Sequence, residues 1–171
     1  MSEQRPKRYS PLWVTLHWVA ALLIFVVFYI GIISEDVRLA EKVGYLRWHM
    51  PLGVTVFLLT LARLVVRWRA PRPADATTGS ALLDKAGALT HYLLYLFSLL
   101  MPLTGMALSW TFNLAPVVFE GQGSLPRNLQ PMLHGVIYPF FAFLILLHIL
   151  AALYHQFIRK DNLLARMWYG K

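Results

Sequence analysis

Residues 132–158 read MLHGVIYPFFAFLILLHILAALYHQFI, a stretch that carries three histidines and no Asp, Glu, Lys or Arg. About 20 apolar residues suffice to cross a hydrocarbon core of roughly 30 Å, so this stretch predicts a membrane-spanning helix. Working outward, three further runs have the same character: Leu12 to Ile33, Trp48 to Val66 and Leu89 to Trp110. The expected fold is an all-α membrane protein, a four-transmembrane-helix bundle in which residues 1–171 form a single domain. The first run is too long for a cleaved signal peptide, and neither a small-residue cleavage site nor a soluble domain follows it.

Composition points the same way. The 171 residues are 58% hydrophobic and 14% charged, too apolar for an ordinary soluble domain, and they include no cysteine. Disulfides, CxxC redox motifs, covalent c-type haem attachment and iron–sulfur ligation are therefore excluded. Any redox cofactor must be held by histidine or methionine.

The net charge of +8 is unevenly placed. Arg5, Lys7 and Arg8, then Arg63, Arg67, Arg69, Arg72 and Lys85, then Arg159, Lys160, Arg166 and Lys171 all belong to one side of the expected membrane. On the other side Arg38, Lys42, Arg47 and Arg127 are balanced by Glu35, Asp36, Glu41 and Glu120. Positive loops stay inside, which puts both termini in the cytoplasm. The basic excess thus reads as topology and anionic-lipid contact, not as a nucleic-acid footprint. Pro71, Pro73, Thr77, Thr78, Gly79 and Ser80 mark a cytoplasmic linker, and Pro116, Gly121, Gly123, Ser124 and Pro126 break the second outer loop. The apolar residues 115–119 within that loop are expected to dip into the interface. Neither an internal repeat nor a pair of broken helices marks a transport site, which disfavours a haem-free transporter.

Six histidines carry the chemistry: His17 in the first run, His49 opening the second, His91 opening the third, and His134, His148 and His155 in the fourth. Any one alone could be a packing histidine bonded to a backbone carbonyl. Ionisable groups in membrane helices are costly, however, and usually face the bundle interior for a functional reason. His148 and His155 are seven apart, about 10.5 Å of helical rise with only ~20° of drift, so they are expected on one face at two depths. One helix could then give an axial nitrogen to each of two haems in the bundle core. Depth suggests the partners: His17 with His155 around an inner haem iron, and His49 with His148 around an outer one. Six-coordinate iron leaves no open position, which implies outer-sphere electron transfer at the haem edge.

The string His17-Trp18, His49 followed by Gly53, Arg63 and Arg67 closing the second run, and His148/His155 followed by Arg159-Lys160-Asp161-Asn162-Leu163-Leu164-Ala165-Arg166-Met167 together resemble the bacterial cytochrome b561 family. The resemblance covers nearly the whole chain. It implies a di-haem b cytochrome of the bacterial inner membrane that exchanges electrons with ubiquinone. One branch of that family is a superoxide oxidase, passing the electron of periplasmic superoxide to ubiquinone. Another serves as the membrane cytochrome subunit of a partner dehydrogenase or hydrogenase. Outer loops that sum to zero charge weaken the superoxide reading, unless Arg38, Lys42 and Arg47 line one mouth while Glu35 and Asp36 point away.

Other residues have roles to test. His134 at the outer side and His91 at the inner side could bind a quinone oxygen or relay a proton, or could simply be solvated at the interface. The quinone is expected on the cytoplasmic side near His91. Arg63, with Arg67 one turn on, and Arg47 at the outer side are candidates for charge-assisted bonds to haem carboxylates, against topology and lipid anchoring. Gly53 could admit a macrocycle or permit close helix packing. Pro102 is expected to kink its helix, and Met50 and Met132 are possible but superfluous ligands. The tryptophans cluster at run ends, as interfacial belts do.

Overall fold

The computed structural model describes residues 8–126 and 132–169. Of the charges used above, Arg5, Lys7, Arg127 and Lys171 lie outside the described residues, as does the side chain of Met132. Four helices are long and apolar enough to cross a membrane. They are α1 (Pro11–Asp36), α2 (Leu39–Arg69), α3 (Ala81–Thr111) and α4 (Met132–Leu153), and α4 continues as a π-helical segment over Tyr154–Arg159. A short π-helical segment, Pro116–Glu120, follows α3, and a 3-10 turn, Leu163–Met167, follows α4. No strand occurs among the described residues.

The helix ends do not follow the apolar runs residue for residue. Ser10 caps α1, its hydroxyl accepting from the Trp13 amide at 3.3 Å, and Pro11 sits where no amide partner is needed. α2 starts at Leu39, not at Trp48 where the apolar run begins. Its first turns are built of helix formers, with Glu41 at the positive end of the helix dipole. Hydropathy marks where a helix meets hydrocarbon, not where its hydrogen bonds begin. Only Val37 and Arg38 therefore separate α1 from α2, and His49 lies well inside α2.

The chain runs up, down, up and down, with α1 against α2, α2 against α3 and α3 against α4. The remaining seam closes through side chains, where Phe28 of α1 meets Phe141 of α4 at 5.4 Å between centroids. Met101, Ile137 and Phe141 form the buried centre, with Ile24, Phe28 and Phe97 packed on it. A second cluster, Leu114, Val118 and Leu125, seats the loop after α3 on Val43, Leu46 and Met50 of α2. The outer faces carry Leu22, Phe25, Leu58, Leu96, Phe140, Phe143, Leu146 and Leu150, all exposed. An apolar surface this continuous requires a hydrocarbon solvent.

At the end that bears both termini, the chain ties itself together. The Tyr9 amide donates to the Arg166 carbonyl at 3.1 Å, the Trp18 indole to the Met167 carbonyl at 2.8 Å, and Arg166 to the Ala74 carbonyl at 2.9 Å. This is the basic end; the loop after α3 closes the opposite, or loop, end. Arg47 Nε donates to the Val118 carbonyl at 3.0 Å, so its charge anchors that loop instead of reaching into the bundle as a carboxylate partner.

Candidate functional site

At the loop end, His49 of α2 and His134 of α4 face one another with ring centroids 6.1 Å apart, both lining a cavity of about 870 Å³. Nδ1 of His49 lies 3.1 Å from the Val27 carbonyl oxygen of α1. Nδ1 of His134 lies 3.0 Å from the Met101 carbonyl oxygen of α3 and 3.1 Å from the Thr104 hydroxyl. A carbonyl can only accept, so each Nδ1 carries the proton and each Nε2 keeps a free lone pair. This is the arrangement by which metal-ligating histidines are held in orientation.

The two sockets share a construction. Four residues beyond each accepting carbonyl stands a glycine, Gly31 after Val27 and Gly105 after Met101. A Cβ on Gly31 would sit 3.0 Å from Cε1 of His49, and one on Gly105 would sit 3.3 Å from Cε1 of His134. An alanine at Gly31 would press on the imidazole, which would have to give by a few tenths of an ångström. Gly53, which the sequence singled out, lines the cavity, but a Cβ there would meet nothing within 4 Å.

At the basic end, His17 of α1 and His148 of α4 form a second pair, with centroids 6.2 Å apart. His91 of α3 lies beside them, 5.2 Å from His148. Arg63 reaches this level from α2: Nη2 donates to Nδ1 of His17 at 3.1 Å, and the guanidinium sits 5.2 Å from the Tyr95 ring centroid. Its Nε is buried with no hydrogen-bond partner. Arg67 stacks on Tyr92 and Tyr95 at 5.5 and 5.6 Å. A buried cation with an unused N–H is costly unless an anion meets it, and a carboxylate is the matching shape.

The pairings inferred from depth, His17 with His155 and His49 with His148, are not the ones the structure brings together. The helix-four residues that face His49 and His17 are His134 and His148, fourteen apart, which is about 21 Å of rise with ~40° of drift. His155 falls within the π-helical segment that begins at Tyr154, close to the helix end, and its partner there is Asp161 instead of a histidine of α1. His155 is buried and its Nδ1 donates to Oδ2 of Asp161 at 2.6 Å. Lys160 and Asn162 adopt left-handed backbone (φ 56° for both), which swings Asp161 back under the helix end. Burial raises the Asp161 carboxyl pKa, but the bond and charge of His155, the Leu163 amide and Arg166 outweigh it and hold the pKa below the ordinary value.

At the loop-end mouth, Lys42 and Glu35 both line the cavity and pair at 3.2 Å, so Glu35 does not point away. Arg38 pairs instead with Glu41 on the surface. Met50 lines the cavity beside His49 but is not needed as a ligand. Among the described residues no group of three or more His, Cys, Asp or Glu could hold a bare metal ion. Two opposed single imidazoles suit a flat metal complex, and the free Nε2 atoms of His49 and His134, the glycine sockets and the orphaned Arg63 Nε fit a haem with its carboxylates; His17, whose Nδ1 accepts from Arg63, would free its Nε2 once that guanidinium turned to such a carboxylate.

A family profile for prokaryotic cytochrome b561 matches residues 8–170. The chain is 31% identical to cytochrome b561 homolog 1 of Escherichia coli strain K12, over 94% of this chain and 96% of that one. It is 32% identical to a cytochrome b562 of Cereibacter sphaeroides, over 93% and 94% of the two chains. It is also 28% identical to a probable superoxide oxidase CybB of Yersinia pestis, over 94% and 96%.

Proposed function

The chain belongs to the prokaryotic cytochrome b561 family and is a membrane cytochrome b; from that premise we propose that it holds two b haems and carries electrons from periplasmic superoxide to ubiquinone. The assignment is His49 with His134 at the loop end and His17 with His148 at the basic end. The observation that carries the two-haem assignment is the pair of cross-bundle imidazole couples, at 6.1 and 6.2 Å, each joining α4 to the α1–α2 hairpin, while superoxide as donor is supported by the likeness to the probable superoxide oxidase of Yersinia pestis. A haem held by these histidines would supply a one-electron couple.

The chain's own residues do the rest. The Val27 and Met101 carbonyls fix which nitrogen of His49 and His134 faces inward. Arg63, with Arg67 beside it, offers charge to carboxylates at the basic end. The basic end is cytoplasmic, by the positive-inside rule, in the bacterial inner membrane. His155, oriented by Asp161, is the proton-carrying group best placed for a quinone there, in preference to His91, which packs against His148. The balance is simple: two superoxide anions each lose one electron and leave as dioxygen, while ubiquinone takes up both electrons and two protons.

The test is an optical redox titration of the detergent-purified protein with haem counted per chain, followed by superoxide and then ubiquinone. Two low-spin haems, reduced by superoxide and reoxidised by the quinone, are expected. Two haems that ignore superoxide would move the protein to the role of membrane subunit for a partner dehydrogenase or hydrogenase. No haem would overturn the assignment.

A further inference from the structure

The loop-end cavity is lined by apolar and neutral side chains with two exceptions, Glu35 and Lys42. They arrive from different helices. Glu35 is in the last turn of α1, and Lys42 is in the first turn of α2, seven residues before His49 and therefore on the same face. Nζ of Lys42 is 3.2 Å from Oε1 of Glu35, but the two side chains are unequally placed: Lys42 is 12% exposed and Glu35 59%. The ammonium is the inward partner, turned to the cavity, while water screens the carboxylate. The neighbouring cations are occupied elsewhere, Arg38 with Glu41 and Arg47 with the Val118 carbonyl.

We propose that Lys42 is the anion-recognition residue of this cavity and Glu35 its built-in competitor. An anionic oxygen group, whether a haem carboxylate or the superoxide anion, binds the ammonium by displacing Glu35. The competitor is weakly held, because its outer side is solvated, so the exchange is easy. It also gives direction to turnover. Superoxide loses one electron to an oxidised haem and leaves as dioxygen; no proton or oxygen atom is transferred. The neutral product has no claim on the ammonium, and Glu35 takes the place back. A site whose loops sum to no net charge can in this way still be selective for an anion.

This inference rests on the haem reading of the cavity, and the experiment separates the two. Haem-loaded wild type, Lys42→Gln, Lys42→Arg, Glu35→Gln and Arg38→Gln are compared by haem content, by the midpoint potential of each haem, and by the rate of reduction by superoxide at several salt concentrations. If superoxide is the anion, Lys42→Gln slows reduction about tenfold and flattens its salt dependence, Glu35→Gln speeds it several-fold, and Arg38→Gln stays within about twofold of wild type. Lys42→Arg retains most of the rate. If a haem carboxylate is the anion, Lys42→Gln lowers the potential of one haem only, and Glu35→Gln raises that same one. Unchanged rates and potentials in both variants, or an Arg38→Gln effect as large as that of Lys42→Gln, would overturn the proposal. A wild type that binds two haems but ignores superoxide removes the superoxide reading alone, and the potentials still decide the role of Lys42.

Discussion

The two histidine pairs sit at similar separations but are built on different principles. The loop-end pair is fixed by backbone: each imidazole is bonded to a carbonyl of the neighbouring helix and laid over a glycine. The basic-end pair is surrounded by side chains that carry or can carry charge, with Arg63 on His17 and His91 beside His148. Backbone sockets set geometry and leave little to adjust. Charged neighbours set potential and can respond to what binds or titrates nearby. On the proposed function, the difference suits a loop end that would meet a small diffusing anion and a basic end that would hand electrons to a quinone with protons attached.

The largest expected effect lies in which histidines form the pairs. Replacing His134 by Ala should leave about one haem per chain, whereas His91→Ala should leave about two, because on the proposed assignment His91 is a neighbour of His148 and not a ligand. Haem quantification with spectra of each species checks this, and loss of a haem in His91→Ala would redraw the basic-end pair as His91 with His148. The glycine sockets give a graded test at the loop end. Gly31→Ala, whose Cβ falls at 3.0 Å, should destabilise the haem-loaded protein by about 1–3 kcal/mol, and Gly105→Ala, at 3.3 Å, by less. Thermal release of haem would show the order, and equal effects would remove the claim that closeness to the imidazole is what the glycines provide.

The smallest effect concerns Asp161. Its carboxyl pKa is depressed in the folded chain, so its contribution to stability is present above the unfolded carboxyl range and is lost as pH falls through the folded value. The side chain is partly solvated, so the contribution should stay below about 1 kcal/mol. Melting curves of wild type and Asp161→Asn should differ near neutral pH and converge below about pH 4. A gap that persists at low pH would mean that Asp161 acts through its shape and not its charge.

The four spans were legible because hydrocarbon imposes length and apolarity directly on sequence. The ends of the helices were less so: Leu39 to Trp48 extends α2 into a polar stretch that hydropathy assigns to a loop, which turned His49 from a rim residue into an interior one. His134 was weighed as an interfacial proton carrier for the same kind of reason, since it opens an apolar run. The turn after α4 was the deeper obstacle: the seven-residue spacing of His148 and His155 does not show that Lys160 and Asn162 take left-handed backbone and bring Asp161 to His155. Gly31 and Gly105 carried a readable signal, a glycine inside an apolar helix at the level of a histidine, whereas Gly53, four residues after His49, adjoins open space.

The two-residue link between α1 and α2 and the lone helix α4 have a consequence for assembly. On the proposed assignment the early hairpin supplies one ligand to each haem, and α4 supplies both of the others. The ribosome makes the hairpin first and α4 last, so no coordination shell can close until the final span has been threaded into the membrane. Cofactor capture thereby becomes a proofreading step on synthesis: a chain cut short has nothing with which to clasp the metal, and only a finished one is coloured.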